Sequence, residues 1–505
     1  MHNLSHYYIT YSSNSYRKKT MTFKPDKFQE SFLDAFEESL TNFQNDFLIL
    51  TGDAGTGKTE LILELIKISQ KKSAAIEVTA LTGRASAVLS DRGVENPLTL
   101  HKWLNKISDP LLIQKYNRDD AFVLIIDESS MISNGYEIFE DTEDNEDLLL
   151  DKLMYIFYKH IPNEKKLLIF VGDEKQLPPV LHDYSPALDQ LYLEGRYSLK
   201  GSTFVLGKAH RQKDKKDINT FASYFENSDS ALSKELAIPE KQYFLENLDS
   251  NQVEFIDQAE VSEKFFFHYF DDPTSVKIIT PTNQKADLYN YDIKKRLYSA
   301  SKTYFPSFNI PNNSLEVVKG DILQVFENNE DKFEKNIYNG QFLIVNEPLE
   351  AYDVVLHKGS KPDAFSRFPA LYQKLNVSFV TDSGNKSKDK FEILVSIDYL
   401  IDSYHLTKEE FQYFNDKDSS VALKVRKNLN QKESPMFPGV SFDKKINPIL
   451  CKYGYALTGH KAQGGGWDYI FLDLENFWTD NGHVSPKWVY TSAKRAKKKL
   501  YLVNY

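Results

Sequence analysis

The run Phe47-Leu-Ile-Leu-Thr-Gly52-Asp-Ala-Gly-Thr-Gly-Lys58-Thr59, continuing through Glu60 to Ser69, decides the fold. Four consecutive apolar residues read as a strand covered on both faces, and the segment after Thr59 repeats its apolar positions at helical spacing. Between them, a glycine-rich loop lets backbone N–H groups surround an anion, and the N-terminus of the following helix adds a partial positive charge. Strand, loop and helix together match G-x-x-x-x-G-K-[ST] in the context that this phosphate-binding loop requires. Gly52, Ala54, Gly55, Thr56 and Gly57 form the expected cradle, Lys58 reaches for the β- and γ-phosphates, and Thr59 is a ligand for Mg2+. ATP and Mg2+ are therefore the expected cofactors.

Three more apolar runs follow, at Ala75–Thr79, Phe122–Ile126 and Leu167–Val171. Each ends in polar residues, as strands of an open parallel α/β sheet do where ligands bind. The first of them to carry chemistry is Val123-Leu-Ile-Ile-Asp127-Glu128. After a phosphate loop, Asp127 can hold the Mg2+ shell while Glu128 orients and deprotonates an attacking water. This carboxylate pair suits hydrolysis better than transfer to a bound acceptor, which disfavours metabolite kinases. A first domain over 22–210 follows.

The remaining features set limits. A length of 505 residues implies roughly two to four domains. With 41% hydrophobic and 27% charged residues, the composition is that of an ordinary soluble chain. No apolar run approaches the roughly 20 residues of a membrane span. Met1 to Thr20 lacks the apolar core of a secretory signal, so the location expected is cytoplasmic, with residues 1–21 as a flexible extension and Met21 as a possible true start. Cys451 is the single cysteine, which excludes internal disulfides and cysteine-cluster zinc sites. The net charge of -10 argues against a globally basic nucleic-acid binder, but a local basic track can coexist with an acidic exterior. Part of the excess sits in Glu140 to Asp147, read as a solvated insertion.

A second α/β block reads from 211 to 310 and again from 441 to 505, with a strand at Val276–Thr280 and a helix from Gln284 to Leu297. Residues 311–440 differ in texture. Asp321–Phe326 and Gln341–Val345 alternate around the turn signal Asn339-Gly340, which points to a small inserted β domain.

Further motifs lie in a fixed order. Thr82-Gly-Arg84-Ala and Thr99-Leu-His101 fall between the phosphate loop and Asp127, and Gly172-Asp173-Glu-Lys-Gln176-Leu-Pro-Pro179 follows the fourth strand. His210-Arg211, Thr280-Pro-Thr-Asn283, Tyr455-Ala-Leu-Thr458-Gly-His460-Lys461-Ala-Gln-Gly464 and Tyr490-Thr-Ser-Ala-Lys494-Arg495-Ala496 complete the set. In this order the chain resembles superfamily 1B helicases of the Dda-like and RecD-like kind, over nearly its whole length from Phe23 onward. The resemblance implies two RecA-like domains, an inserted SH3-like β domain and a short pin, for which residues 105–120, with Leu111, Leu112, Ile113 or Tyr116 as wedge, are the candidate. It assigns adenine to Gln29, coupling of nucleotide to DNA to Gln176 and Gly464, and charge stabilisation at the γ-phosphate to Arg211 and Arg495. Thr82, Arg84, His101, Thr280, Asn283, Thr458, His460 and Lys461 are implied to contact DNA.

Two departures from the family pattern stand out. Lys494 occupies a place that is usually Thr, and Gly464-Gly-Gly466-Trp467 is richer in glycine than usual. The function implied is a monomeric, ATP-dependent DNA helicase moving 5′-to-3′ on single strands and opening forked duplexes, with protein partners in repair, replication or defence and no membrane. Two alternatives stay open: a DNA-stimulated ATPase switch that does not unwind, and a nucleotide-binding module without hydrolysis. The intact set Lys58, Asp127, Glu128, Gln176 and Arg495 speaks against the last.

Overall fold

The computed structural model describes residues 23–53, 55–107, 120–134, 148–179, 184–207, 216–225, 241–249, 251–304, 317–326, 337–357, 369–380, 386–397, 400, 420–425, 449–475 and 485–505. Ala54, Arg211, most of the pin candidate, the acidic stretch 140–147 and residues 1–21 lie outside them.

The first domain is a six-stranded sheet with the order β3-β2-β4-β5-β1-β6. Its strands are β1 (Phe47–Gly52), β2 (Ala75–Ala80), β3 (Leu98–Thr99), β4 (Phe122–Asp127), β5 (Lys166–Gly172) and β6 (Gly201–Leu206), all paired in parallel. Two buried apolar clusters cover its two faces, one around Phe47, Phe122 and Phe170 and the other around Phe32, Leu50 and Ile125. That explains why β1, β4 and β5 read as unbroken apolar runs. The sequence reading missed two edge strands. β3 is only two residues long, and β6 is half exposed and opens with Gly-Ser-Thr, so neither carries a run to recognise.

Four helices matter for the site: α1 (Lys27–Asn42), α2 (Lys58–Lys71), α3 (Gly83–Asp91) and α4 (Leu100–Lys106). The last three begin just beyond β1, β2 and β3, so their N-termini gather at the carboxyl edge of the sheet. The strand order also brings the ends of β1, β5 and β4 side by side, which places Gly52, Asp173 and Asp127 on one rim.

The second domain is a parallel sheet with the order β15-β8-β16-β17-β7. It comprises β7 (Val253–Ile256), β8 (Val276–Thr280), β15 (Ala456–Thr458), β16 (Trp467–Asp473) and β17 (Ala496–Val503). Two RecA-like domains are thus present. Between β8 and β15 the chain builds an antiparallel sheet from β9 (Ile322–Val325), β10 (Phe342–His357), β11 (Pro369–Val380), β12 (Phe391–Ser396), β13 (Ser420–Val425) and β14 (Cys451–Tyr453). β14 pairs with β9, so the β insert takes in residues beyond 440, and its core runs continuously into that of the second domain. A buried ion pair fastens the root: Lys294 Nζ donates to Asp321, which also accepts from the Tyr455 hydroxyl (2.7 Å) and the Val318 N–H (2.7 Å).

Candidate nucleotide site and interdomain cleft

The phosphate loop closes on itself before any ligand is considered. Gly55 (φ 86°) and Gly57 (φ 94°) occupy the left-handed region, which glycine enters without steric cost. Thr56 Oγ1 donates to the Asp53 carbonyl (2.9 Å), and Lys58 Nζ donates to the Gly52 carbonyl and to that of Asp53 (3.1 Å). Lys58 and Thr59 open α2, with the backbone amides of its first turn facing the loop.

Gln29 braces the same loop from α1. Its Nε2 donates to the Thr56 carbonyl (3.0 Å) while its Oε1 accepts from the Asp26 N–H (3.0 Å), completing a capping box with Asp26. The side chain is buried, and a Cβ on Gly57 would lie 2.7 Å from its amide nitrogen. Gln29 therefore sits at the loop. Lys175, from the segment after β5, adds an ion pair to Asp53 (3.0 Å).

At the end of β4 the carboxylate pair is held under strain. Glu128 adopts φ 55° and ψ 38°, a left-handed conformation that few non-glycine residues take and that clusters at functional sites. Its N–H donates to Asp127 Oδ1 (2.9 Å). Burial, followed by the neighbouring Glu128 charge, raises the Asp127 carboxyl well above the usual carboxylate range, against the pull of Lys58 and the Glu128 N–H. A carboxylate so placed gains most from a nearby cation, which fits Asp127 and Thr59 as ligands of a divalent metal.

The second domain reaches this rim with Arg495. Arg495 Nη2 donates to Gln176 Oε1 (2.9 Å), Nε to the Thr491 carbonyl (3.0 Å) and Nη1 to the Gly465 carbonyl (3.3 Å). Gln176 Nε2 in turn donates to Asp173 (3.1 Å). Burial lowers the guanidinium from its ordinary value, and the negative charges of Glu128 and Asp173 oppose that shift. Lys494 does not displace its neighbour: it ends the helix Pro486–Ala493, its ammonium 5.3 Å from the Tyr490 ring.

The segment Gly172 to Pro179 bridges the two domains through Leu177. The Leu177 N–H donates to Thr491 Oγ1 (3.1 Å), its carbonyl accepts from Gln463 Nε2 (3.3 Å), and its side chain belongs to the core of the second domain. The next residue, Gly464, turns at φ 72°, and a Cβ there would lie 3.8 Å from Glu128 Oε1. Neither Leu177 nor Thr491 was singled out from the sequence, because a Leu and a Thr inside longer motifs carry no signal of their own.

Several residues expected on the DNA track turn inward. Thr82 caps α3, its Oγ1 accepting from the Ala85 N–H (3.1 Å). Arg84 is buried with its guanidinium 4.4 Å from the Trp467 ring and 5.2 Å from that of Phe342. Thr280 is fully buried and donates to the Thr282 carbonyl (3.0 Å), so it shapes the turn and does not face a ligand. Thr458 is likewise buried, capping the short helix Gly459–Ala462. What does project is His101, at the start of α4, and Asn283, which accepts from Lys461 Nζ (3.1 Å). Lys461 lies 4.1 Å from the Phe326 ring, and burial, with help from Lys452, brings its ammonium down to about 8; burial also lowers the neighbouring His460. One further group went unnoticed in the sequence. Lys277, the second residue of β8, is buried 4.9 Å from the Phe342 ring, and burial, then the nearby Arg84 charge, bring it down to about 7.

A phosphate loop and carboxylate pair on one RecA-like domain, met by a buried arginine from another, define a tandem RecA-like P-loop protein. Family models agree at both ends: an AAA domain matches residues 37–182 and a UvrD-like helicase C-terminal domain matches 453–503. The chain is similar to an uncharacterized protein of Methanocaldococcus jannaschii, at 23% identity over 94% of this chain and 38% of the relative. It is also similar to the RecBCD enzyme subunit RecD of Buchnera aphidicola subsp. Schizaphis graminum (27%, 60% of this chain, 52% of the relative) and to the ATP-dependent DNA helicase PIF1 of Saccharomyces cerevisiae (34%, 31% and 18%). The chain thus spans about half or less of the length of these curated relatives. Among solved structures, Pif1 helicase from Candida albicans aligns with a TM-score of 0.48 at 16% identity over 96% of this chain and 95% of that one. Bacteroides Pif1 bound to single-stranded DNA aligns with a TM-score of 0.48 at 15% identity over 96% and 92%. With its motifs in order and both domain matches in place, the chain is similar to superfamily 1B helicases of the Pif1- and RecD-like kind.

Proposed function

We propose that this chain hydrolyses ATP in the cleft between its motor domains and uses the cycle to move along single-stranded DNA and separate duplex strands, 5′-to-3′ as the family resemblance implies. The observation that carries this reading is the Arg495–Gln176 hydrogen bond, which joins residues 319 positions apart at the carboxylate rim. An arginine delivered from a second domain makes turnover depend on cleft closure, which is what a motor needs.

In this reading the amides of Gly52, Ala54, Gly55, Thr56 and Gly57 and the Lys58 ammonium bind the phosphates, while Gln29 meets the adenine. Mg2+, bound between Thr59 and Asp127, would supply neutralisation of the phosphate charge. Glu128 takes a proton from the attacking water, and Gln176 orients that water and reports its state to the second domain. Arg495, joined by Arg211, stabilises charge on the departing phosphate. His101, Asn283, His460 and Lys461 line the strand track, with the aromatic face of Phe326 behind Lys461 available for stacking. Residues 311–440 with β14 act as the inserted SH3-like β domain, and 105–120 as the pin.

The test is strand separation on 5′-tailed, 3′-tailed and RNA-tailed duplexes with ATP. Unwinding of the 5′-tailed DNA alone is the expected result. DNA-stimulated ATP turnover with no strand separation on any substrate would sink the helicase reading in favour of a switch.

A further inference from the structure

The glycine-rich turn at 464–466 and the buried Arg84 are two departures that explain one another. Thr82 fixes the first turn of α3, and Gly83 lets the β insert close over it: a Cβ on Gly83 would lie 3.0 Å from the Asn339 carbonyl and 3.2 Å from the Tyr338 ring. With its own helix end covered, Arg84 extends across the cleft. Its guanidinium lies on the Trp467 ring and fills the space over Gly465, where any Cβ would overlap it. These two neighbours of Arg84 both hold Arg495. The Gly465 carbonyl accepts from Arg495 Nη1 (3.3 Å), and the Trp467 N–H donates to the Arg495 carbonyl (2.9 Å).

We propose that Arg84 is a positioning residue for the nucleotide site: it props the Gly464–Trp467 segment from the first domain and so holds Arg495 in register with Gln176. This rests on the hydrolytic reading above. Arg84 therefore links α3, the β insert and the distal arginine in one joint, and its planar group matters more than its charge. Lysine keeps the charge but cannot lie flat between a backbone turn and an indole ring. Gly465 is the complement of this arrangement, since a side chain there would evict the guanidinium.

The experiment is steady-state ATP turnover of the full chain across ATP concentration, with folding of each variant checked by thermal melting. Arg84→Ala and Arg84→Lys are each expected to lower kcat roughly tenfold while KM for ATP stays within about threefold, because an interaction made through Arg495 is realised in the transition state. Gly465→Ala lowers kcat by a similar factor, and adding it to Arg84→Ala costs nothing further, since the two act on one contact. Should Arg84→Ala melt early, Arg84→Met, which keeps the apolar stem, gives the same reading. Wild-type turnover in Arg84→Lys, or losses that multiply in the double variant, would overturn the inference. A wild-type chain without ATP turnover would instead sink the hydrolytic reading, and the inference with it.

Discussion

Two arginines cross the same cleft in opposite directions, and they are held in different ways. Arg495 comes from the second domain and ends on three oxygen acceptors, at Gln176, Thr491 and Gly465. Arg84 comes from the first and is positioned by ring faces and by a turn that has no side chain. Hydrogen bonds to defined oxygens fix the direction of a charge, as chemistry at a phosphate requires. Stacking and shape fix only where a body sits, as a joint requires. The same residue type thus serves as reagent in one place and as spacer in the other.

The largest effect that can break this comparison is at Arg495. Arg495→Lys should cut ATP turnover by about a thousandfold with the fold intact, on the scale of a lost arginine finger; a loss no deeper than that of Arg84→Lys would erase the distinction between the two arginines. A smaller effect concerns Lys277, which lies behind Arg84 and is brought down to about 7 by burial and by the Arg84 charge. The unfolded chain holds this proton up to about pH 10.4, so between about 7 and 10.4 it binds more protons than the native state. Stability therefore rises with pH across that window and is lowest, for this group, below 7. Lys277→Met should raise the denaturation midpoint at pH 7 and flatten its rise toward pH 9; an unchanged slope in urea melts at pH 7, 8 and 9 would show that the ammonium is not buried. The smallest effect is at Lys494. Lys494→Thr, the residue usual in the family that the chain resembles, should leave kcat within about twofold, because Arg495 is held by the Gln176 side chain and by the Thr491 and Gly465 carbonyls.

Much of the site was legible in the sequence, and for one reason: groups that meet a phosphate are constrained in type and in spacing together. Gly52 to Thr59, Asp127-Glu128 and Gly172 to Pro179 each combine a buried strand with a polar end, so period and chemistry point to the same place. Gln29 and Arg495 were singled out through motif order; Gln29 lies against the Thr56 carbonyl of the loop and Arg495 against Gln176. The DNA track was less legible. Thr280 and Thr458 have the right residue type, but the backbone turns their hydroxyls into caps and turns, and nothing in a Thr-Pro-Thr or Leu-Thr-Gly run says which way the oxygen faces. Asn283, which does project, is joined to Lys461 across 178 positions.

By itself the sequence determined the two α/β halves, the β insert between them, the phosphate cradle and the carboxylate pair, because each rests on local periodicity or on residues adjacent in the chain. Only the tertiary structure decided that Arg84 leaves the expected track for the second domain, that Leu177 belongs to the core of the other half, and that β14 closes the sheet of the insert. Those outcomes depend on which surfaces meet when distant segments pack. A buried guanidinium over a glycine has no pattern along the chain, since its cause lies some 380 residues away at a position marked only by the side chain it lacks.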